Sequence, residues 1–164
     1  MVEVYVGAGS NIEPARHLRL AAAALTERFS GVRCSDVYRS PAFGFDGAPF
    51  LNMVFAFDVA GSPDDVEREL NDIEYEGGRL RRGARFSSRT LDLDLLLFGG
   101  IVDAGRRLPR DDVLRYPFVL APLAEIAPDL HHPLTGRRIG IEWAERCRQT
   151  TALERLGPLE RVAE

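Results

Sequence analysis

Asp92 and Asp94 stand two residues apart in Arg89-Thr90-Leu91-Asp92-Leu93-Asp94-Leu95-Leu96-Leu97-Phe98. The first half alternates apolar and charged residues. As a β-strand it therefore places Leu91, Leu93 and Leu95 on one face and the two carboxylates side by side on the other. Like charges at this spacing repel, and a half-buried strand ordinarily carries Thr, Lys or Arg at such positions. A hard divalent cation relieves the repulsion. Mg²⁺ takes one or two protein carboxylates and completes its shell with water and substrate phosphates, so the pair is a candidate nucleotide-metal site. An edge strand with its acids turned to water is the alternative left open by the stretch itself.

Immediately upstream, Arg79, Arg81, Arg82, Arg85 and Arg89 fall within eleven residues that contain no acid. The segment reads as a mobile cationic arm whose guanidinium groups close over a polyphosphate. A solvated loop or a small nucleic-acid patch is the competing reading. The chain has no lysine, so all 21 of its basic residues are arginine. A Walker A loop and Schiff-base chemistry are thereby excluded, and any nucleotide must be held by arginine and metal.

A third candidate is the loop Ser40-Pro41-Ala42-Phe43-Gly44-Phe45-Asp46-Gly47-Ala48-Pro49-Phe50. Three phenylalanines in a loop with two prolines and two glycines are hard to bury together in a core, so Phe43 or Phe50 is read as stacking a flat ring ligand. Asn52 beyond offers a paired donor and acceptor. A loop pinned to the body by its aromatics is the alternative.

These groups need a scaffold. Residues 2–8 alternate as a first strand, Gly7, Gly9, Ser10 and Asn11 are read as a turn, and a helix follows from Pro14 with Leu18, Ala22, Leu25 and Phe29 as its buried stripe. Val32 to Arg39 and Leu51 to Val59 read as strands. Ser62 is a fitting N-cap for a helix with Val66, Leu70 and Ile73 inward, ending at Glu74 and Glu76 before Gly77-Gly78. After Phe98 a turn at Gly99-Gly100 leads to a possible short strand at Ile101-Val102. Residues 116–128 read as helical pieces broken by proline, and an amphipathic helix from Ile139 through Trp143 and Cys147 is expected over one side of the sheet. His17 has no partner at metal-ligand spacing and reads as structural or surface, and adjacent histidines on an irregular segment, as His131-His132, diverge more often than they chelate.

At 164 residues with 45% hydrophobic and 28% charged content, the chain reads as one globular domain spanning 1–164. The formal net charge of -4 argues against a general nucleic-acid binder. No apolar run reaches the length of a membrane span, and the N-terminus starts directly as a strand, so a cytoplasmic protein with no membrane partner is expected. Cys34 and Cys147 read as reduced packing residues.

Taken in order, "GSN" at residues 9–11, "RSPAFG" at 39–44, "PFLNMV" at 49–54, "IEYEGGRLRR" at 73–82, "RTLDLDLLLFG" at 89–99 and "PFVLAPLAEIAP" at 117–128 resemble the 6-hydroxymethyl-7,8-dihydropterin pyrophosphokinases of folate synthesis. The resemblance implies an α+β, ferredoxin-like sandwich with a mainly antiparallel sheet. It implies transfer of the β,γ-diphosphate of ATP to the pterin hydroxymethyl group, with release of AMP. Asp92 and Asp94 would be the ligands of two Mg²⁺ ions and, with Arg79 and Arg89, the catalytic group, Asp94 being a possible proton acceptor. Phe50 and Phe118 would sandwich the pterin and Asn52 would bond its edge, helped by the backbone around Ser40, Pro41 and Phe43. Glu74, Arg81, Arg89, Arg110 and Arg115 would serve the nucleotide.

The chain departs from the family pattern mainly on that side. Arg85-Phe86-Ser87-Ser88-Arg89 replaces "RWGPR", Arg110 stands at a usual histidine, and Tyr116 stands at a usual arginine with Arg115 one step earlier. The alternatives are a relative using a modified pterin or another phosphate donor, a pterin-binding protein without transfer activity, and a nucleic-acid-binding domain of the same fold.

Overall fold

The computed structural model describes residues 1–42, 44–78 and 90–164. Phe43 and the arginine segment with Arg79, Arg81 and Arg89 lie outside the described residues. The chain runs β1 (Val2–Ser10), α1 (Pro14–Arg28), β2 (Ser30–Cys34), β3 (Val37–Ser40), β4 (Phe50–Val59), α2 (Pro63–Glu76), β5 (Asp92–Phe98), α3 (Asp112–Arg115), α4 (Pro117–Ile126), α5 (Ile139–Arg146) and β6 (Glu154–Gly157). The strand order is β5-β1-β4-β3-β6, with β2 also paired to β4 and every pairing antiparallel. Two split β-α-β units interleaved in one antiparallel sheet make the expected ferredoxin-like α+β architecture.

Helices α1 and α2 cover one face. Leu18 and Leu25 of α1 and Val66, Leu70 and Ile73 of α2 join Val4, Val6, Met53, Phe55, Phe57, Leu93 and Leu95 in one core. Phe29, at the end of the predicted stripe, stacks on Phe57 with centroids 4.2 Å apart. A capping box starts α2: Ser62 Oγ accepts from the Asp65 N–H at 3.3 Å, and Asp65 Oδ2 accepts from the Ser62 N–H at 2.9 Å. The opposite face is covered by α4, and α5 packs chiefly on α4 rather than on the sheet. Leu120 and Leu123 there meet Tyr5, Val54, Ala56, Leu96 and Leu97. A register shift in β1·β5 between Tyr5 and Val6 leaves Leu96 as an extra residue, which brings Leu96 and Leu97 to the same face.

Several expectations change. β1 continues through Ser10, because Gly7 and Gly9 keep register with both β4 and β5, and the ladder overrides the turn propensity of glycine. The single strand expected over 32–39 is interrupted. Ser35 holds Val54 at 2.9 Å through both its N–H and its Oγ, which accepts from the Val54 N–H, while the Asp36 N–H turns out to the Glu125 carboxylate at 2.9 Å. Ile101 and Val102 form no strand. Pro122 lies inside α4 without ending it. β6 was not anticipated; three of its four residues, Glu154, Arg155 and Gly157, pair with the edge of β3.

His17 and His132 are buried and structural. His17 Nδ1 lies 2.7 Å from the Ile12 carbonyl, and His132 Nδ1 accepts from the Leu134 and Thr135 N–H groups at 3.2 and 3.3 Å. Burial lowers the basicity of His132 accordingly. No helix among the described residues is long and apolar enough to cross a membrane.

Candidate active site

The covering helices leave one end of the sheet bare. Register places Asp92, Gly9, Asn52 and Tyr38 in one row across four strands, and Asp94, Gly7 and Val54 in a neighbouring row. With glycine at both central positions of β1, nothing rises from the floor between the carboxylates and Asn52. A cleft of ≈ 380 Å³ opens above it.

At one side stand Asp92 and Asp94. The intervening Leu93 points into the opposite core, and its N–H, on the outer edge of β5, is bonded by the buried carboxylate of Glu74 at 2.8 Å. The two aspartates are thus fixed by a core side chain below and a side-chain acceptor beside them. Glu74, expected on the nucleotide side, is buried behind β5 and does not line the cleft. Ser10, buried at the end of β1, donates to the Thr90 carbonyl and so ties β1 to the residues leading into β5.

At the other side are Ser40, Pro41, Phe45, Phe50 and Asn52, and Phe118 and Tyr116 also line the cleft. Asn52 Nδ2 donates to Ser40 Oγ at 2.8 Å and to the Tyr38 carbonyl at 3.3 Å. Its Oδ1 is left over Gly9, 3.4 Å from where a Cβ would stand. The Tyr116 and Phe118 rings stack at 5.0 Å with 15° between planes, and the Arg115 guanidinium lies 5.4 Å from the Tyr116 centroid. These groups make a slot with aromatic walls and an amide at its edge.

A cationic rim faces the carboxylates. Arg107, Arg110 and Arg115 line it together with Asp111 and Asp112. Arg110 is anchored by its N–H to the Leu96 carbonyl at 2.8 Å. Its Nη2 lies 3.5 Å from Asp94, and its Nε 3.3 Å from Asp112 without the alignment of a hydrogen bond. Although burial works against its charge, Asp94 and Asp112 outweigh that and hold the guanidinium ionised. Asp94 is pushed up to about 7, first by burial and then by the adjacent Asp92, with Arg110 pulling the other way. Two carboxylates with insufficient cationic compensation form a donor set that fits Mg²⁺ with substrate oxygens completing its shell. Among the described residues no group of three or more His, Cys, Asp or Glu makes a closed metal cage.

The raised value has a consequence for stability. Ionising Asp94 opposes folding, a cost absent below about pH 4 and growing until the pH passes about 7. Asp94→Asn is therefore expected to stabilise metal-free protein at pH 8 by on the order of 2 kcal/mol, allowing for the part of the side chain open to solvent, and to change little near pH 4. Urea denaturation in a chelator at both pH values checks this. A difference independent of pH would refute it.

Of the residues expected from sequence, Asp92, Asp94, Ser40, Pro41, Phe50, Asn52, Phe118, Arg110 and Arg115 converge on this cleft. Gly7, Gly9, Phe45, Arg107 and Tyr116 join them. The alternation Gly7-Ala8-Gly9 opposite an acidic alternation was the signal for the first two, and it becomes readable only once β1 and β5 are neighbours.

Comparison with known proteins bears on the same cleft. Residues 5–128 match the family model described as 7,8-dihydro-6-hydroxymethylpterin-pyrophosphokinase (HPPK). The 2-amino-4-hydroxy-6-hydroxymethyldihydropteridine pyrophosphokinase of Pseudomonas aeruginosa is 41% identical over 142 residues, covering 83% of this chain and 86% of that one. The enzyme of the same name from Synechocystis sp. is 38% identical over 139 residues, covering 82% and 71%. In fold, the crystal structure of Plasmodium falciparum HPPK-DHPS with pterin and p-hydroxybenzoate superposes with a TM-score of 0.74 at 10% identity, over 94% of this chain and 46% of that longer one. The sheet order, the acidic pair on β5 and the match across residues 5–128 lead to one conclusion: the chain belongs to the 7,8-dihydro-6-hydroxymethylpterin-pyrophosphokinase family.

Proposed function

We propose that this cleft transfers the β,γ-diphosphate of ATP to the hydroxymethyl oxygen of 6-hydroxymethyl-7,8-dihydropterin in folate biosynthesis. The observation that carries the reading is the junction, on one bare end of the sheet, of a carboxylate pair with an aromatic slot edged by Asn52. In this reaction the pterin hydroxyl gives up its proton, to Asp94 or to solvent, as its oxygen forms a bond to the β-phosphorus, the bond from that phosphorus to the α,β-bridging oxygen breaks, and AMP leaves. Little covalent work falls to the protein, so positioning and charge compensation are its contribution.

Asp92 and Asp94 would hold two Mg²⁺ ions, which when bound supply compensation for the phosphate charge. Phe50 and Phe118 take the two faces of the pterin. Asn52 offers Oδ1 to its edge, with Nδ2 engaged by Ser40 and Tyr38. Pro41 and the backbone around Ser40 and Phe43 would assist Asn52 at the pterin edge. Arg110, whose buried Nε is without an aligned acceptor among the described residues, takes phosphate oxygens with Arg115 and Arg107, and Arg79, Arg81 and Arg89 act from the preceding segment. Arg110 thereby serves as the cation where the family usually has histidine. Glu74 supports β5 from behind. We further propose that residues 1–164 work as one domain in the cytoplasm, with small molecules rather than nucleic acid as partners.

The test is product analysis. Purified protein with Mg-ATP and the pterin is expected to yield AMP and pterin diphosphate in equal amounts. Binding of the pterin without AMP would reject the transfer reaction and favour a binding role or another donor.

A further inference from the structure

We infer that Phe45 is a positioning residue for Phe50, and that the missing side chain of Gly47 is what admits the Phe45 ring. The inference rests on the reading of Phe50 as a stacking partner of the pterin. Phe45 is half-buried at the cleft wall, with its ring edge-on to Phe50 at a centroid distance of 6.2 Å and 88° between planes. An edge-to-face neighbour resists rotation of the ring it abuts, because turning Phe50 would exchange a favourable quadrupole contact for a clash. Phe50 is itself half-buried, so its plane needs such a brace.

Gly47 supplies the second observation. A Cβ there would lie 2.4 Å from Phe45 Cε2 and 3.0 Å from Cδ2, inside the volume the ring occupies. Gly47 does not have the left-handed backbone that favours glycine, so space rather than conformation is the reason for glycine at this point. Its backbone has little room to retreat, since Asn11 Nδ2 donates to the Ala48 carbonyl at 3.1 Å and ties the next residue to the end of β1. The loop is thus built around the ring: Asn11 anchors it, Gly47 leaves the space, Phe45 fills it, and Phe50 leans on Phe45. Gly47 does not line the cleft, so a substitution there reaches the substrate only through Phe45.

The experiment compares Phe45→Leu, Gly47→Ala, their combination and Phe50→Leu in the full chain, by steady-state kinetics with Mg-ATP and the pterin and by thermal melting. Each of the first two is expected to raise the pterin KM by about 3- to 10-fold, with kcat and the ATP KM held within about twofold. The combination is expected to match Phe45→Leu alone, because once the ring is gone the methyl at position 47 has nothing to displace. If Phe50→Leu raises the pterin KM while Phe45→Leu and Gly47→Ala leave it unchanged, the bracing role is wrong. Full additivity in the combination also overturns it. An unchanged KM in Phe50→Leu overturns the stacking reading itself.

Discussion

Asp92→Asn and Asp94→Asn are each expected to lower kcat by about 10³-fold or more while leaving the pterin KM within a few-fold. Asparagine preserves the volume of each side chain and the β5 backbone, so the change isolates charge. The carboxylates stand beside Gly7 and Gly9 rather than in the aromatic slot, which is why pterin affinity should survive. Both carboxylates act on one unit of phosphate charge, and the double substitution is expected to cost little more than either single one. Initial rates across a range of Mg²⁺ concentration check the assignment, since a lost ligand should also raise the metal requirement. If both variants keep a tenth or more of parental kcat at saturating Mg²⁺, the pair is not the metal site.

The acidic pair was legible in sequence because its chemistry and its scaffold coincide in one strand. Period-two alternation named the two faces, and Leu91, Leu93 and Leu95, which alternate with the aspartates, are buried in the core as that alternation requires. Phe50 and Asn52 are read from the aromatic loop and the strand after it, Phe118 only through the family motifs, and their convergence is set by the tertiary fold, which no local pattern expresses. Tertiary partners decided what remained. Gly7 and Gly9 carry turn propensity, yet pairing on both sides holds them extended. Ser10 and Asn11 looked like turn residues and act as ties, one to Thr90 and one to Ala48. Glu74 is acidic at a helix end, which suggests solvent. It is instead 4% exposed, because β5 is an edge strand whose Leu93 N–H needs an acceptor. The division of 32–39 into two strands depends on Glu125, a residue of α4 far along the chain.

The second large effect is expected at a residue with no side chain. Gly9 lies in β1 between Asn52 of β4 and Asp92 of β5, on the floor of the cleft. A Cβ there would sit 3.4 Å from Asn52 Oδ1 and 3.8 Å from Phe50 Cδ1, so alanine is only tight, but the two methyl groups of valine would rise into the slot. Valine is also the better strand residue, and glycine inside a strand costs roughly 0.5–1 kcal/mol relative to alanine. Gly9→Val should therefore separate stability from function. The melting temperature is expected to stay level or rise, while the pterin KM rises about 100-fold or more, since a displaced ring loses its stacking and its bond to Asn52 together. Gly7→Ala is the control: its Cβ would meet only the flexible end of Leu96 at 3.4 to 3.7 Å, and it should change KM only slightly. Parental KM in a folded Gly9→Val protein would mean that the pterin does not lie on this floor, because no arrangement resting on Gly9 beside Asn52 leaves room for the added methyl groups.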